Sequence, residues 1–158
     1  MVYRAIGLAS DDLSAGLNIT FTEFQEQAGK WTFEVLQSAN FLYEADWANR
    51  LKNAAVLPIS DFQQLHTGYG EYMGQQINKF IEQYQLHYKV ALIAFEGHTI
   101  LAGKNEIELG DGAIIASLTQ LPVINNFYSI DIALGGLQKG PSTFVRSKIL
   151  KEKLALQS

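Results

Sequence analysis

Tyr3-Arg4-Ala5-Ile6-Gly7-Leu8-Ala9-Ser10-Asp11-Asp12-Leu13-Ser14-Ala15-Gly16-Leu17-Asn18-Ile19-Thr20-Phe21-Thr22-Glu23-Phe24 is the stretch on which the fold turns. The apolar run from Tyr3 to Leu8 predicts a strand. Ser10 to Gly16 is rich in turn formers, and Asn18 to Phe24 alternates apolar with polar side chains at the strand period. Gly29 and Lys30 are read as a break, after which Trp31, Phe33 and Val35 alternate against Thr32 and Glu34 in a third strand reaching about Leu42. The chain therefore opens as an antiparallel meander.

Beyond the meander the period changes. Glu44 to Asn53 sets Trp47, Ala48 and Leu51 on one helical face. Pro58, with Ser60 or Asp61 as the cap, predicts a longer helix. Phe62, Leu65, Tyr69, Met73, Ile77, Phe80 or Ile81, and Tyr84 line one side of it for about six turns. Gly70 and Gly74, one turn apart, suggest close approach of a neighbouring element, since glycine weakens a helix interior. Val90 and Leu92 to Phe95 read as a buried strand. Gly110-Asp111-Gly112 introduces a helix from Ala113 to about Gln120, and Pro122 precedes a last strand, Val123 to Phe127. Pro141 with Ser142 or Thr143 predicts a terminal helix, apolar at Val145, Ile149, Leu150 and Leu154. The order β-β-β-α-α-β-α-β predicts an α/β fold with a mixed five-stranded sheet flanked by helices.

Composition narrows the chemistry. With 158 residues, 47% hydrophobic and 18% charged, the chain matches one ordinary globular domain. It contains no cysteine, which removes thiolate catalysis, disulfides and Cys-based metal sites. A formal charge of -4 with scattered Lys and Arg argues against a nucleic-acid partner. No apolar window reaches membrane-spanning length, so neither membrane nor signal peptide is expected and the location is read as cytoplasmic. Three dispersed histidines, His66, His87 and His98, make a poor metal set.

Two kinds of reading stand beside each polar segment. Asp11 and Asp12 are ordinary hairpin-turn residues. As a phosphate loop the pair would be repulsive, by about 4 kcal/mol per contacting charge pair at surface dielectric. Glu96, His98 and Thr99 follow a buried strand, where α/β proteins place ligands, yet a loop histidine is commonly bonded to its own fold. Asp111 suits a helix cap whether or not it meets a ligand. Asp131, before Gly135-Gly136, belongs to a ligand edge or to an exit turn.

Taken together, these segments resemble the N-terminal lobe of anhydro-N-acetylmuramic acid kinase, of the sugar kinase, heat-shock chaperone and actin superfamily. Gly7 to Asn18 stands where the family has G-L-M-S-G-T-S-x-D-G-x-D. Phe95-Glu96-Gly97-His98-Thr99 is similar to S-H-G-[QH]-T, and Glu108-Leu109-Gly110-Asp111-Gly112-Ala113 to Q-[LI]-G-D-G-A. Phe127 to Gly136 is similar to F-R-x-x-D-x-A-x-G-G. The resemblance implies a ribonuclease H-like, actin-like ATPase lobe. It also implies an altered phosphate turn at Ser10, Asp11, Asp12 and Gly16, because Asp11, Asp12 and Ala15 replace the motif's Gly, Thr and acidic residue. Tyr128 replaces an Arg. The amino-sugar residues it implies are Glu96, His98, Thr99, Asp111 and Asp131.

The family's D-T-G-P-G-N motif and second lobe are not met by Ser158. The expectation is therefore a non-catalytic, pseudokinase-like binding or assembly module, with a homodimer or a second-lobe protein as partner. Such a module needs no cofactor or metal. The competing expectations are residual amino-sugar binding, and ATP-dependent phosphorylation of 1,6-anhydro-N-acetylmuramic acid in cell-wall recycling, with Mg-ATP and a lobe supplied by another chain.

Overall fold

The structure, a computed structural model, describes residues 1–10, 13–102 and 105–135. Residues 1–125 gather into one compact unit, and the chain from Asn126 belongs to a second. The expected helix at 141–154 lies outside the described residues.

Strands β1 (Val2–Ala9), β2 (Leu17–Gln27) and β3 (Lys30–Phe41) form the antiparallel meander. The β2–β3 turn is Ala28-Gly29, both at positive φ (53° and 78°), so Lys30 begins a strand and does not break one. A two-residue hairpin of this hand requires left-handed backbone at both positions, which the alanine concealed. Helix α1 (Ala45–Lys52), a 3-10 turn (Ala54–Val56) and helix α2 (Ile59–Gln83) lead to β4 (Leu92–Glu96). Pro58 occupies the cap of α2 and no side chain caps it; Ser60 and Asp61, expected as caps, lie in its first turn. Proline's fixed backbone starts the helix here in place of a side-chain acceptor.

Two further departures follow β4. His98–Ala102 (β5) and Asn105–Leu109 (β6) form a separate antiparallel hairpin where a plain connection was expected. Helix α3 (Gly112–Thr119) then leads to β7, which is only Val123–Ile124, because helix α4 (Phe127–Ala133) already begins at Phe127. Asn126, left-handed at φ 58°, redirects the chain and accepts from the Ser129 N–H.

The main sheet runs β3-β2-β1-β4-β7, with β4 parallel to both β1 and β7. It is an α/β mixed sheet flanked by helices, of the actin-like lobe type. Register places Ile6 opposite Phe21 and beside Ile93, and Leu8 opposite Ile19 and beside Phe95. Those side chains share one face with the buried stripe of α2: Leu65, Tyr69, Met73, Ile77 and Phe80. Each fully buried side chain of this size contributes about 1.5–3 kcal/mol relative to exposure. The α2–α3 contact explains the paired glycines. A Cβ on Gly70 would meet Asp111 backbone O at 2.8 Å and N at 3.0 Å, and one on Gly74 would meet Leu118 Cδ1 at 2.9 Å. Among the described residues no helix is long and apolar enough to cross a membrane.

Candidate functional site

Parallel pairing of β1 with β4 brings their carboxyl ends together, with Ala9 beside Glu96. Ser10 follows Ala9 and is buried, at 1% exposure. Its Oγ lies 2.6 Å from the Tyr43 hydroxyl, which lies 2.6 Å from the Tyr69 hydroxyl, which donates back to Ser10 Oγ at 2.9 Å. If Tyr69 donates to Ser10, the ring closes with Ser10 donating to Tyr43 and Tyr43 to Tyr69. Each hydroxyl then gives its single proton within the ring. Burial raises the Tyr69 hydroxyl far above its ordinary range, with the neighbouring Tyr43 adding to the effect. Burial likewise raises Tyr43, against the opposing bonds from Ser10 and Tyr69. Trp47 and Tyr72 pack on these rings, with centroids 5.0 Å apart, and the Arg50 guanidinium covers Trp47 at 4.4 Å.

Ser10, Ala15 and Gly16 are each tied to a neighbouring element. Asn40 Nδ2 donates to the Ala15 carbonyl. Gly16, at φ +82°, passes so close to Phe41 that a Cβ would sit 2.3 Å from its carbonyl oxygen. His98 Nδ1 lies 3.1 Å from the Ser10 carbonyl oxygen. A carbonyl only accepts, so Nδ1 carries the proton and Nε2 is left as the acceptor of the neutral ring.

His98 opens β5 opposite Leu109, and Thr99, exposed, pairs with Glu108. Glu108 Oε1 accepts from the Gly97 N–H at 3.0 Å. At the end of β6 the Gly110 N–H donates to His66 Nδ1 at 3.1 Å, so His66 holds the opposite tautomer, with its proton on Nε2. Asp111 caps α3 by accepting from the N–H groups of Ala113 (2.9 Å) and Ile114 (3.4 Å).

Ser10, Glu96, His98 and Asp111 thus belong to one edge of the unit, linked through the hairpin and through the Tyr69–Gly70 turn of α2. Asp11 and Asp12 lie outside the described residues. Asp131 sits within α4 of the second unit and is described by its backbone alone. Sequence reasoning passed over Tyr43, placed Tyr69 only in the apolar stripe of α2, weighed His66 only as a metal ligand, and quoted Glu108 in its motif without giving it a role. Tyr69 carried a signal, since a tyrosine inside an apolar helical stripe needs a partner for its hydroxyl. Among the described residues no three His, Asp or Glu side chains converge to hold a metal ion. Among the described residues, cavities also open elsewhere, including one of about 390 Å³ beside Arg50 and Asp61 and one of about 530 Å³ beside Tyr3 and Tyr88.

The strand, hairpin and helix termini that build this edge fall within a single family match. The model of anhydro-N-acetylmuramic acid kinase covers residues 3–152. The chain belongs to the anhydro-N-acetylmuramic acid kinase family. The similarity to individual members is low to moderate. An anhydro-N-acetylmuramic acid kinase of Synechococcus elongatus is 27% identical over 143 residues, covering 84% of this chain and 37% of the relative. That of Sulfurimonas denitrificans is 26% identical over 158 residues, covering 95% and 42%. That of Paramagnetospirillum magneticum is 46% identical over 50 residues, covering 30% and 14%. The chain spans about two fifths of the length of the first two of these relatives. Family membership assigns no role to any individual side chain of this edge.

Proposed function

We propose that this chain forms the N-terminal lobe of an anhydro-N-acetylmuramic acid kinase, which transfers phosphate from ATP to 1,6-anhydro-N-acetylmuramic acid. The groups beyond the region it spans would come from another polypeptide or from a longer chain. The observation that carries this reading is the meeting of Ser10, Glu96 and His98 at the carboxyl ends of two parallel strands, where α/β folds bind ligands, with Asp111 two residues beyond Leu109, the strand partner of His98. In it, Glu96, His98, Thr99 and Asp111 face the amino sugar, and the turn from Ser10 to Gly16 faces the phosphates; Asp131, in the second unit, is a sugar-binding candidate by its motif alone. Asp11 and Asp12 then require magnesium between themselves and the polyphosphate, since bare carboxylates repel it. O6 of a 1,6-anhydro sugar is a bridging ether, so it bonds to the γ-phosphorus as its bond to C1 breaks and water adds at C1, while the phosphorus–oxygen bond to ADP breaks; the base that takes the water's proton would lie in the region this chain does not span.

A second reading, a non-catalytic binding or assembly module, is favoured by one observation. The Ser10 hydroxyl, at the start of the turn, has its proton committed to the Tyr43–Tyr69 ring and has none to offer a phosphate.

The deciding experiment joins this chain to the remaining three fifths of a family member, as a fusion and as a mixture, and follows ADP release with and without the anhydro sugar. The kinase reading expects sugar-dependent turnover that falls by about a hundredfold in His98→Ala, the scale of one positioned acid–base or hydrogen-bonding group. A folded fusion that binds the sugar but releases no ADP leaves the binding module.

A further inference from the structure

At the far end of the sheet from Ser10, the first residues of β1 meet the turn that follows α2. Tyr3, Arg4, Glu23, Tyr88 and Lys89 line the cavity of about 530 Å³. Tyr3 and Ser10 are seven positions apart along the strand direction, so the cavity lies about 23 Å from the Ser10 turn at the rise of an extended strand.

Tyr88 is the residue that calls for a reason. It occupies the left-handed position (φ 60°) of a turn closed by the Lys89 N–H donating to the Leu86 carbonyl at 3.0 Å. Glycine or asparagine ordinarily fills such a place, because a Cβ there crowds the backbone. Its ring is fully exposed, at 107% of the reference value, so packing within the protein returns nothing for that strain. A left-handed residue whose ring no packing holds points to a contact outside the chain as a reason for the strain.

The rest of the cavity has matching chemistry. The Tyr3 ring stacks on Trp31 at 5.9 Å and 29°, and both remain about half exposed, which makes a rigid flat apolar surface. Arg4 Nε donates to Glu23 Oε2 at 2.8 Å, and Gln25 Nε2 to Glu23 Oε1 at 2.8 Å. The Glu23 carboxylate is thereby occupied, with its side chain 14% exposed. Lys89 makes no ion pair among the described residues. One positive charge is left over beside two aromatic faces.

We propose that this cavity binds a small ring compound carrying a single carboxylate, the ring lying against Tyr3 and Tyr88 and the carboxylate meeting Lys89. Either an aryl acid or a sugar acid presents that chemistry, through an aromatic face or through the apolar face of a pyranose. The site is separate from the Ser10 edge and stands whether or not the kinase reading holds.

The test is titration of the isotopically labelled chain with benzoate and with D-glucuronate to about 50 mM, reading amide shifts at residues 2–4, 23 and 88–91. A saturable shift confined to these positions is expected for at least one probe, with a dissociation constant of about 10 mM or tighter. The probe that binds names the source. Tyr88→Gly, which the backbone welcomes, and Lys89→Ala should each weaken binding about tenfold, and the neutral analogues benzyl alcohol and glucose should bind about tenfold more weakly than the acids. Tyr88→Gly must melt no lower than the parent, which separates loss of a contact from loss of the fold. No saturable shift with either acid, unchanged affinity in both variants, or equal binding of the neutral analogues overturns the proposal.

Discussion

Ser10, Tyr43 and Tyr69 join three hydroxyls in one closed hydrogen-bonded ring. Tyr69→Phe removes one member, leaving Ser10 Oγ without its donor. It should destabilise the chain by about 1–2 kcal/mol in urea unfolding, the scale of a buried hydrogen bond lost with its partner left in place. The ring also sets an alkaline limit. The folded-state Tyr69 hydroxyl titrates above its ordinary value of 10.0, so the unfolded chain loses that proton first as pH rises. Its contribution is therefore complete below pH 10 and declines above it; urea midpoints measured across that value should fall less steeply in Tyr69→Phe. At Tyr88 the expected sign is reversed. Glycine relieves left-handed strain of about 1–2 kcal/mol and adds about 0.5–1 kcal/mol of unfolded-state entropy, so Tyr88→Gly should raise the melting temperature slightly or leave it unchanged. Hydroxyl pairing of this kind was not legible in the sequence: Ser10 and Tyr69 are 59 positions apart, and no periodicity links them.

Among the elements, α2 was the most legible, because its apolar stripe recurs over many turns and every repeat reinforces the same period. Its glycines separate two physical effects. A Cβ on Gly68 would make only ordinary van der Waals contact, 3.8 Å from Arg50 Nη2 and 3.9 Å from the Trp47 ring, whereas one on Gly70 would meet Asp111 backbone at 2.8 Å. Gly68→Ala should stabilise by up to about 1 kcal/mol through helix propensity. Gly70→Ala should destabilise by about 1–3 kcal/mol, as α3 is forced away. Differential scanning calorimetry of the pair checks both signs. The β5–β6 hairpin was illegible for the opposite reason. Each strand has five residues, and the one-residue break at Gly97 separates β5 from β4 too briefly to announce a new element. At β7 the alternation from Val123 looked like a longer strand, but only Val123 and Ile124 find partners on β4 before Asn126 turns the chain.

For the molecule as a whole, binding should depend on how much of the site this chain supplies. A ligand at 100 times its dissociation constant stabilises by about 2.7 kcal/mol, or several degrees for a domain of this size. Under the kinase reading, Mg-ATP and the anhydro sugar at millimolar excess should shift melting weakly for this chain alone and by the full amount once the remaining three fifths of the family sequence are joined to it. A full shift with the isolated chain would mean that this lobe already carries the binding determinants. Local periodicity and turn chemistry determined the meander, the long helix, the Asp111 cap and the mixed sheet, because those signals lie within a few residues of one another. Glu96, His98 and Asp111 were legible as candidates through their motifs. The tertiary structure alone decided that Ser10 spends its hydroxyl on two distant tyrosines, that His98 Nδ1 donates a hydrogen bond to the Ser10 carbonyl, and that Tyr88, at positive φ, lines one cavity with Tyr3. Each of these joins residues from separate elements, and such pairings exist only once the sheet and helices have packed.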